Sequence, residues 1–340
     1  MQNLVWLIFI AIVLIMVFLD LGVFHRHAHR ISVREALVWT GVWVAVALCF
    51  NVIVYFLYGH NWLGWTDVHS HDLTGREAAV QFFTGYGIEK SLSVDNIFVI
   101  AMVFSFFRIP SEHQHRVLLW GILGAIVMRG VMIAIGAVII ERFHWSAYLF
   151  GLVLLTSAVK MLITRHETIE PEKNWLVRLA HKLYPTAPHS DGAFFVRNAD
   201  GRTAITHTFL ALLMVETTDV MFAVDSIPAI FAVTRDPFLV FTSNIFAMLG
   251  LRSLYFAVAG MMDKFRYLKM SLVFLLAYVG VKMMLAHHYP IPNLVSLAVI
   301  AGILFVGVAA SIVAGGKDPA HLIGPLAEEP THDPPAKRAD

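Results

Sequence analysis

The chain has 340 residues, 58% apolar and 14% charged, with a mean hydropathy of +0.70, whereas an ordinary soluble domain is roughly 45–50% apolar and about 25% charged. Lys and Arg number 25 against 24 Asp and Glu, a net charge of +1 that leaves no global field for steering a polyanion, so a nucleic-acid partner is excluded. The single cysteine, Cys49, rules out an intrachain disulfide and a thiolate metal cluster, and the composition that remains is that of a polytopic protein in a lipid bilayer.

Nine stretches approach the roughly 20 apolar residues that a spanning helix needs: 3–24, 33–58, 78–107, 117–140, 146–163, 206–233, 238–262, 270–286 and 294–314. The first lacks a basic flank and a small-residue cleavage site and is expected to span rather than to be removed. Basic residues concentrate in alternate loops: Arg26, Arg30 and Arg34; Arg108 and Arg116; Arg165 to Arg202; Lys264, Arg266 and Lys269; then Lys317, Lys337 and Arg338 in the tail. The other loops hold Arg76, Arg142 and Arg235. Basic loops stay in the cytoplasm, so the expectation is an inner (plasma) membrane protein with its N-terminus outside and its C-terminus in the cytoplasm. Within the long loop 164–205, Leu176, Leu179 and Leu183 alternate with Arg178 and Lys182, which predicts a short helix at the membrane surface. Residues 194–205 predict a hairpin around Asn198-Ala-Asp-Gly201. The tail, 317–340, is rich in Pro, Ala and charge and is predicted to be disordered.

The chain also repeats itself. Glu89 and Asp95-Asn96 answer to Asp219 and Asp225-Ser226, Met128-Arg129 to Leu251-Arg252, Glu141-Arg142-Phe143 to Asp263-Lys264-Phe265, and Val159-Lys160-Met161 to Val281-Lys282-Met283. Each copy holds three spans, an odd number, so the second copy enters from the opposite side. Such inverted repeats build many secondary transporters, with the substrate at the midplane between the copies. The expected fold is all-α with about nine transmembrane helices: a two-helix segment (1–76), a first three-helix repeat (77–163), the cytoplasmic loop (164–205), a second, inverted repeat (206–290), a ninth helix (291–316) and the tail.

Glu89, Lys90 and Asp95 fall in the third span, and Glu216, Asp219 and Asp225 in the sixth. Each charge near the bilayer centre costs roughly 2.5–3.5 kcal/mol, so retained acids need cations, water or protons as compensation. Internal salt bridges to Lys90, Arg129, Lys160, Arg252 and Lys282 are the structural alternative. Arg129 and Arg252 are expected to be such partners, and Lys160 and Lys282 to reach toward the membrane faces. A six-residue step turns a helix by about 120° off its starting face, so Glu89 with Asp95, or Asp219 with Asp225, cannot chelate one ion from a regular helix, while Glu216 and Asp219 can. Pro228, Gly85 and Gly87 predict interruptions near the acids that would free carbonyls for a cation; the alternative is two ion positions along one pathway. The candidate metal ligands are Glu89, Asp95, Asn96, Glu216, Asp219, Asp225 and Ser226, with Asp95 and Asp225 expected to face each other across the pseudo-two-fold axis. Thr217, Thr218 and Asn244 offer further oxygens, which suit magnesium, calcium or manganese. Met214, Met221 and Met248 could soften such a site, although helix packing is the simpler role for them, and the loop histidines read as solvated.

These strings resemble a family. Val215-Glu216-Thr-Thr-Asp219, Phe222-Ala-Val-Asp225-Ser-Ile-Pro228-Ala and Thr242-Ser-Asn244 through Arg252-Ser-Leu-Tyr255-Phe256 look like the signature of the TerC family, in its Alx-like branch, with Glu89-Lys90-Ser-Leu-Ser-Val-Asp95-Asn96 as the first-repeat counterpart. The resemblance implies a LysE-superfamily fold and manganese export, with links to tellurite resistance and alkaline induction. It places the family's essential acids on Glu89, Asp95, Glu216, Asp219 and Asp225.

The expected function is export of divalent cations, manganese foremost, by alternating access with proton exchange on the acids. No resident cofactor and no catalytic residue is expected, since neither a cofactor motif nor a nucleophile with a base is present. Expected partners are the divalent ion, the bilayer, and a second copy or other membrane proteins. The competing class is a membrane scaffold or tellurite-linked assembly factor acting through the cytoplasmic loop.

Overall fold

The computed structural model describes residues 2–24, 33–62, 65, 73–143, 145–163, 171, 174–187, 192–197, 201–259, 268–286, 288–289 and 291–315. The tail, the turn of the hairpin and the histidines of 25–29, 69 and 71 lie outside the described residues.

The helices are α1 (Gln2–Phe24), α2 (Val33–Gly59), α3 (Gly75–Phe106), α4 (Ser111–Arg142), α5 (Ser146–Ile163), α6 (Trp175–Leu183), α7 (His207–Phe231), α8 (Pro237–Met248), α9 (Leu251–Ala259), α10 (Leu268–Leu285) and α11 (Asn293–Gly315). Their starts follow local chemistry. Thr74 and Glu77 close a capping box at α3. Asn174, Thr206 and Asp236 cap α6, α7 and α8 through their side-chain oxygens.

Among the described residues, α2, α4, α5 and α11 are long and apolar enough to cross a membrane, and α8 with α9 adds a fifth span if the bent pair counts as one. This is fewer than the nine expected. α3 and α7 have the length, 32 and 25 residues, but carry the acids. The described apolar part of α1, Leu4–Leu19, is shorter than a span.

The fold is not purely helical. β2 (Phe195–Arg197) and β3 (Thr203–Thr206) pair antiparallel, as the expected hairpin requires. β1 (Thr186–Ala187) adds to β3 in parallel, giving the order β1-β3-β2. Two residues carry no periodic signal, so β1 escaped the sequence reading. Amphipathic α6 buries Val177 and Ala180 and exposes Trp175, Leu179 and Leu183.

The interruptions expected near the acids are absent. α3 runs unbroken through Gly85, Gly87, Glu89 and Asp95, and α7 through Asp219, Asp225 and Pro228. Pro228 sits in the last turn of α7; it has no N–H to give the Val224 carbonyl, but the helix continues for three more residues and the Pro228 carbonyl accepts from Ala232 N–H. The break falls between α8 and α9, which meet at 43°. Gly250 makes it, with φ +80°, and a Cβ there would lie 2.7 Å from the Trp43 side chain of α2.

Helix packing defines a centre. α3 packs on α8, α4 on α7, α3 on α7 and α5 on α10, while α2 lies against α3 and α9, and α11 against α10. Gly151 and Gly280 let α5 and α10 approach closely: a Cβ on Gly151 would lie 2.9 Å from the Gly280 carbonyl oxygen. An aromatic cluster glues α1 and α2 to α3 and α8: the Phe50 and Phe246 rings stack at 4.5 Å, and Phe9 sits 5.6 Å from Phe50.

Candidate functional site

Arg129 on α4 is 1% exposed, and its donors are engaged on three neighbouring helices. Nε and Nη2 donate to Asp219 Oδ2 at 3.1 Å and Oδ1 at 2.9 Å, a two-pronged pairing that suits the planar guanidinium. Nη1 bonds Glu89 Oε1 on α3 and donates to Asn244 Oδ1 on α8 at 3.3 Å and Ser226 Oγ on α7 at 3.4 Å. Asn244 Nδ2 donates back to Glu89 Oε2 at 3.2 Å. Glu89 and Asn244 are both fully buried. One arginine therefore joins the two acids that occupy equivalent places in the sequence repeat, confirming its reading as a carboxylate partner. Asp219 and Ser226 share a face of α7 because they are seven residues apart, nearly two turns.

Glu216 lies one turn before Asp219, close enough for the two charges to interact. Its carboxylate presses on α4: a Cβ added to Gly124 would fall 1.9 Å from Glu216 Oε1. Only the missing side chain at Gly124 makes room for it. Neither this contact nor the role of Asn244 as a bridge between Arg129 and Glu89 had a periodic signal in the sequence.

Asp225 is turned away from this cluster, as its six-residue step from Asp219 requires. It accepts a 2.5 Å hydrogen bond from Ser157 on α5, with Lys160 near enough to act on its charge. Asp95 is half-buried on α3, likewise stepped round from Glu89. Asn96, seven residues after Glu89 and 4% exposed, lines a small cavity with Asp219. Among the described residues, no group of three His, Cys, Asp or Glu side chains is arranged as a metal site. The structure thus brings Glu89, Asp219 and Ser226 together on Arg129, sets Glu216 and Asn96 beside Asp219, and seats Asp225 separately.

The other cations differ in fate. Lys90 Nζ donates to the Ala247 carbonyl at 3.2 Å, in the last turn of α8, where the helix end carries partial negative charge. Arg252 is 2% exposed and engaged. Lys160 is exposed, within charge reach of Asp225. Lys282 is instead 7% exposed and donates to Asn293 Oδ1 at 3.5 Å: α11 covers it, a partner from outside the repeat. Met221 is 58% exposed and Met214 is packed in the core, while Met248 is buried against the cavity.

Residues 74–318 match the integral membrane protein TerC family. The chain is 48% identical over 308 residues to the Myxococcus xanthus membrane protein STKORF319, covering 91% of this chain and 92% of that one. It is 44% identical over 304 residues to Alx of Escherichia coli (strain K12), provisionally named a membrane-bound redox modulator, covering 88% of this chain and 92% of that one. A membrane protein of Rickettsia felis (strain ATCC VR-1525 / URRWXCal2) is 36% identical over 308 residues, covering 91% and 97%. No solved structure matches. With a family match over most of its length and relatives aligned nearly end to end, the chain belongs to the integral membrane protein TerC family.

Proposed function

We propose that the chain is a transporter of divalent cations, with manganese as its principal cargo, moved outward by alternating access. The observation that carries this reading is the charge around Arg129. Two carboxylates, Glu89 and Asp219, pair with one guanidinium, and a third, Glu216, lies within charge reach of Asp219. Taken as ionised, these four side chains hold a surplus of two negative charges, which one dication balances. Arg129 then acts as a tethered counter-cation that keeps the acids tolerable when cargo is away. Buried charges left unpaired would cost several kcal/mol each.

The packing pattern supports an inverted repeat of three helices each, 77–163 and 206–290. α3 packs on α8 as α7 packs on α4, and α5 packs on α10. Exchanging α3 with α7, α4 with the α8–α9 pair, and α5 with α10 leaves these contacts unchanged. Counting the acid-bearing helices α3 and α7 together with α1 and α10 as spans restores nine crossings, with the loop 164–205 and the C-terminus in the cytoplasm of an inner-membrane protein. Rocking of one repeat on the other would expose the acids to each side in turn. Protons and metal compete for the same carboxylates, so cargo leaves on the more acidic side. Asp225 with Ser157 forms a second station on the path, which favours two ion positions over one chelate.

The test is uptake of manganese into liposomes carrying the purified protein, with calcium and magnesium in parallel. The reading expects manganese flux that Asp219→Asn abolishes. Protein that is folded yet neither binds nor moves any of the three ions would overturn it, and the redox role in the Escherichia coli relative's name would then be the reading to pursue.

A further inference from the structure

Between α3, α4, α7 and the α8–α9 break lies a cavity with about 20 Å³ of water-accessible space. That is room enough for a water-sized occupant. Its polar lining comes from Asn96, Thr218 and Asp219, and Met248 stands at the break; the rest of the wall is apolar. Asn96 Oδ1 is buried without a hydrogen-bond partner. A buried carbonyl oxygen left so costs about 1–3 kcal/mol, and an occupant of the cavity would remove that cost. The Thr218 hydroxyl spends its proton on the Met214 and Val215 carbonyls at 2.9 Å, which leaves its oxygen able only to accept. Each Asp219 carboxylate oxygen accepts one hydrogen bond from Arg129 and retains a lone pair. Every oxygen available here is therefore an acceptor. An occupant must be a donor or a cation.

We propose that this cavity binds the dication, and that Met248 is the residue that sets its selectivity. The proposal rests on the transporter reading and adds to it where the cargo sits and which side chain selects it. Magnesium and calcium are hard cations that take oxygen ligands alone. A thioether in place of one oxygen penalises both, and penalises a transition-metal dication least. Manganese is the member of that class whose preference for oxygen also fits Asn96, Thr218 and Asp219.

The experiment uses the purified full-length protein in detergent, titrated calorimetrically with manganese, calcium and magnesium. The parent is expected to bind manganese over calcium. Met248→Leu, nearly the same size, should lower that preference by about tenfold, the low end of what changes around a metal cost. Asn96→Leu should weaken all three ions. X-ray absorption of the manganese-loaded parent should show a sulfur neighbour that Met248→Leu lacks. An unchanged preference in Met248→Leu, with manganese bound by the parent, overturns the selectivity assignment and leaves the transporter reading standing. Should Met248→Leu fail to fold, full manganese affinity in Asn96→Leu overturns the cavity itself. A parent that binds no dication overturns both readings.

Discussion

Tyr58 donates a 2.6 Å hydrogen bond to Asp236 Oδ2, while Oδ1 of the same carboxylate accepts from Phe238 N–H at 2.8 Å and Leu239 N–H at 3.3 Å. One buried acid thus caps α8 and fastens α2 to it. Tyr58→Phe should lower stability by about 1.5–3 kcal/mol, the range for a hydrogen bond to a charged group. Asp236→Ala should cost about 1 kcal/mol more, since the cap goes too. Thermal melting of the detergent-solubilised protein measures both, and equal melting of Tyr58→Phe and the parent would deny the bond any role.

Arg129→Gln leaves Glu89 and Asp219 buried without their counter-charge. Breaking a buried pair from one side costs about 3–5 kcal/mol, so the yield of monodisperse protein on size-exclusion chromatography should fall sharply. Adding Glu89→Gln should restore part of it. Normal yield in the single variant would contradict the counter-cation role.

Gly250→Ala should destabilise by about 2–5 kcal/mol, from the left-handed backbone and from overpacking. Trp43→Ala should not rescue it, because the Cβ of Trp43 itself lies 2.7 Å from the added methyl. Melting of the single and double variants checks this; full rescue would show that the strain is in the ring contact alone.

Asp225→Asn keeps the size and an oxygen for Ser157 and removes one costly charge. Folding should survive and dication binding should weaken, since charge attraction is strong where water is scarce. Ser157→Ala should weaken binding less, for it removes a partner and no charge. Parent-like manganese binding and transport in Asp225→Asn would remove Asp225 from the path.

A reporter fused after Lys182 should read cytoplasmic, and one inserted near His69 external. The opposite pattern would reverse the proposed orientation.

Much of this was legible in the chain itself. Helix periodicity is a local property, so the long helices, α6 and the hairpin strands came out near their observed places. Arg129 was readable as a carboxylate partner because few other charges sit so deep in an apolar run. What was not legible depends on neighbours far apart in sequence. Gly85, Gly87 and Pro228 looked like breaks, yet α3 and α7 run through them unbroken, and the break falls where Gly250 meets Trp43. Asn244 was readable as an oxygen donor, but its bridge between Arg129 and Glu89, and the room Gly124 leaves for Glu216, show only once the helices are laid side by side. Lys282 looked like a residue reaching for the membrane face because nothing in its own helix announces Asn293.

The small sheet runs into α7 without a linker: β3 ends at Thr206, which is also the cap of the helix, and His207 begins the first turn. Thr206 Oγ1 further donates to the Ala193 carbonyl at 2.6 Å, locking the strand to the approach of β2. The sheet and the acid-bearing helix are therefore mechanically in series. A pull on the loop is a pull on Glu216, Asp219 and Asp225 together, and a shift of those acids along the helix axis is felt at once as a displacement of the sheet.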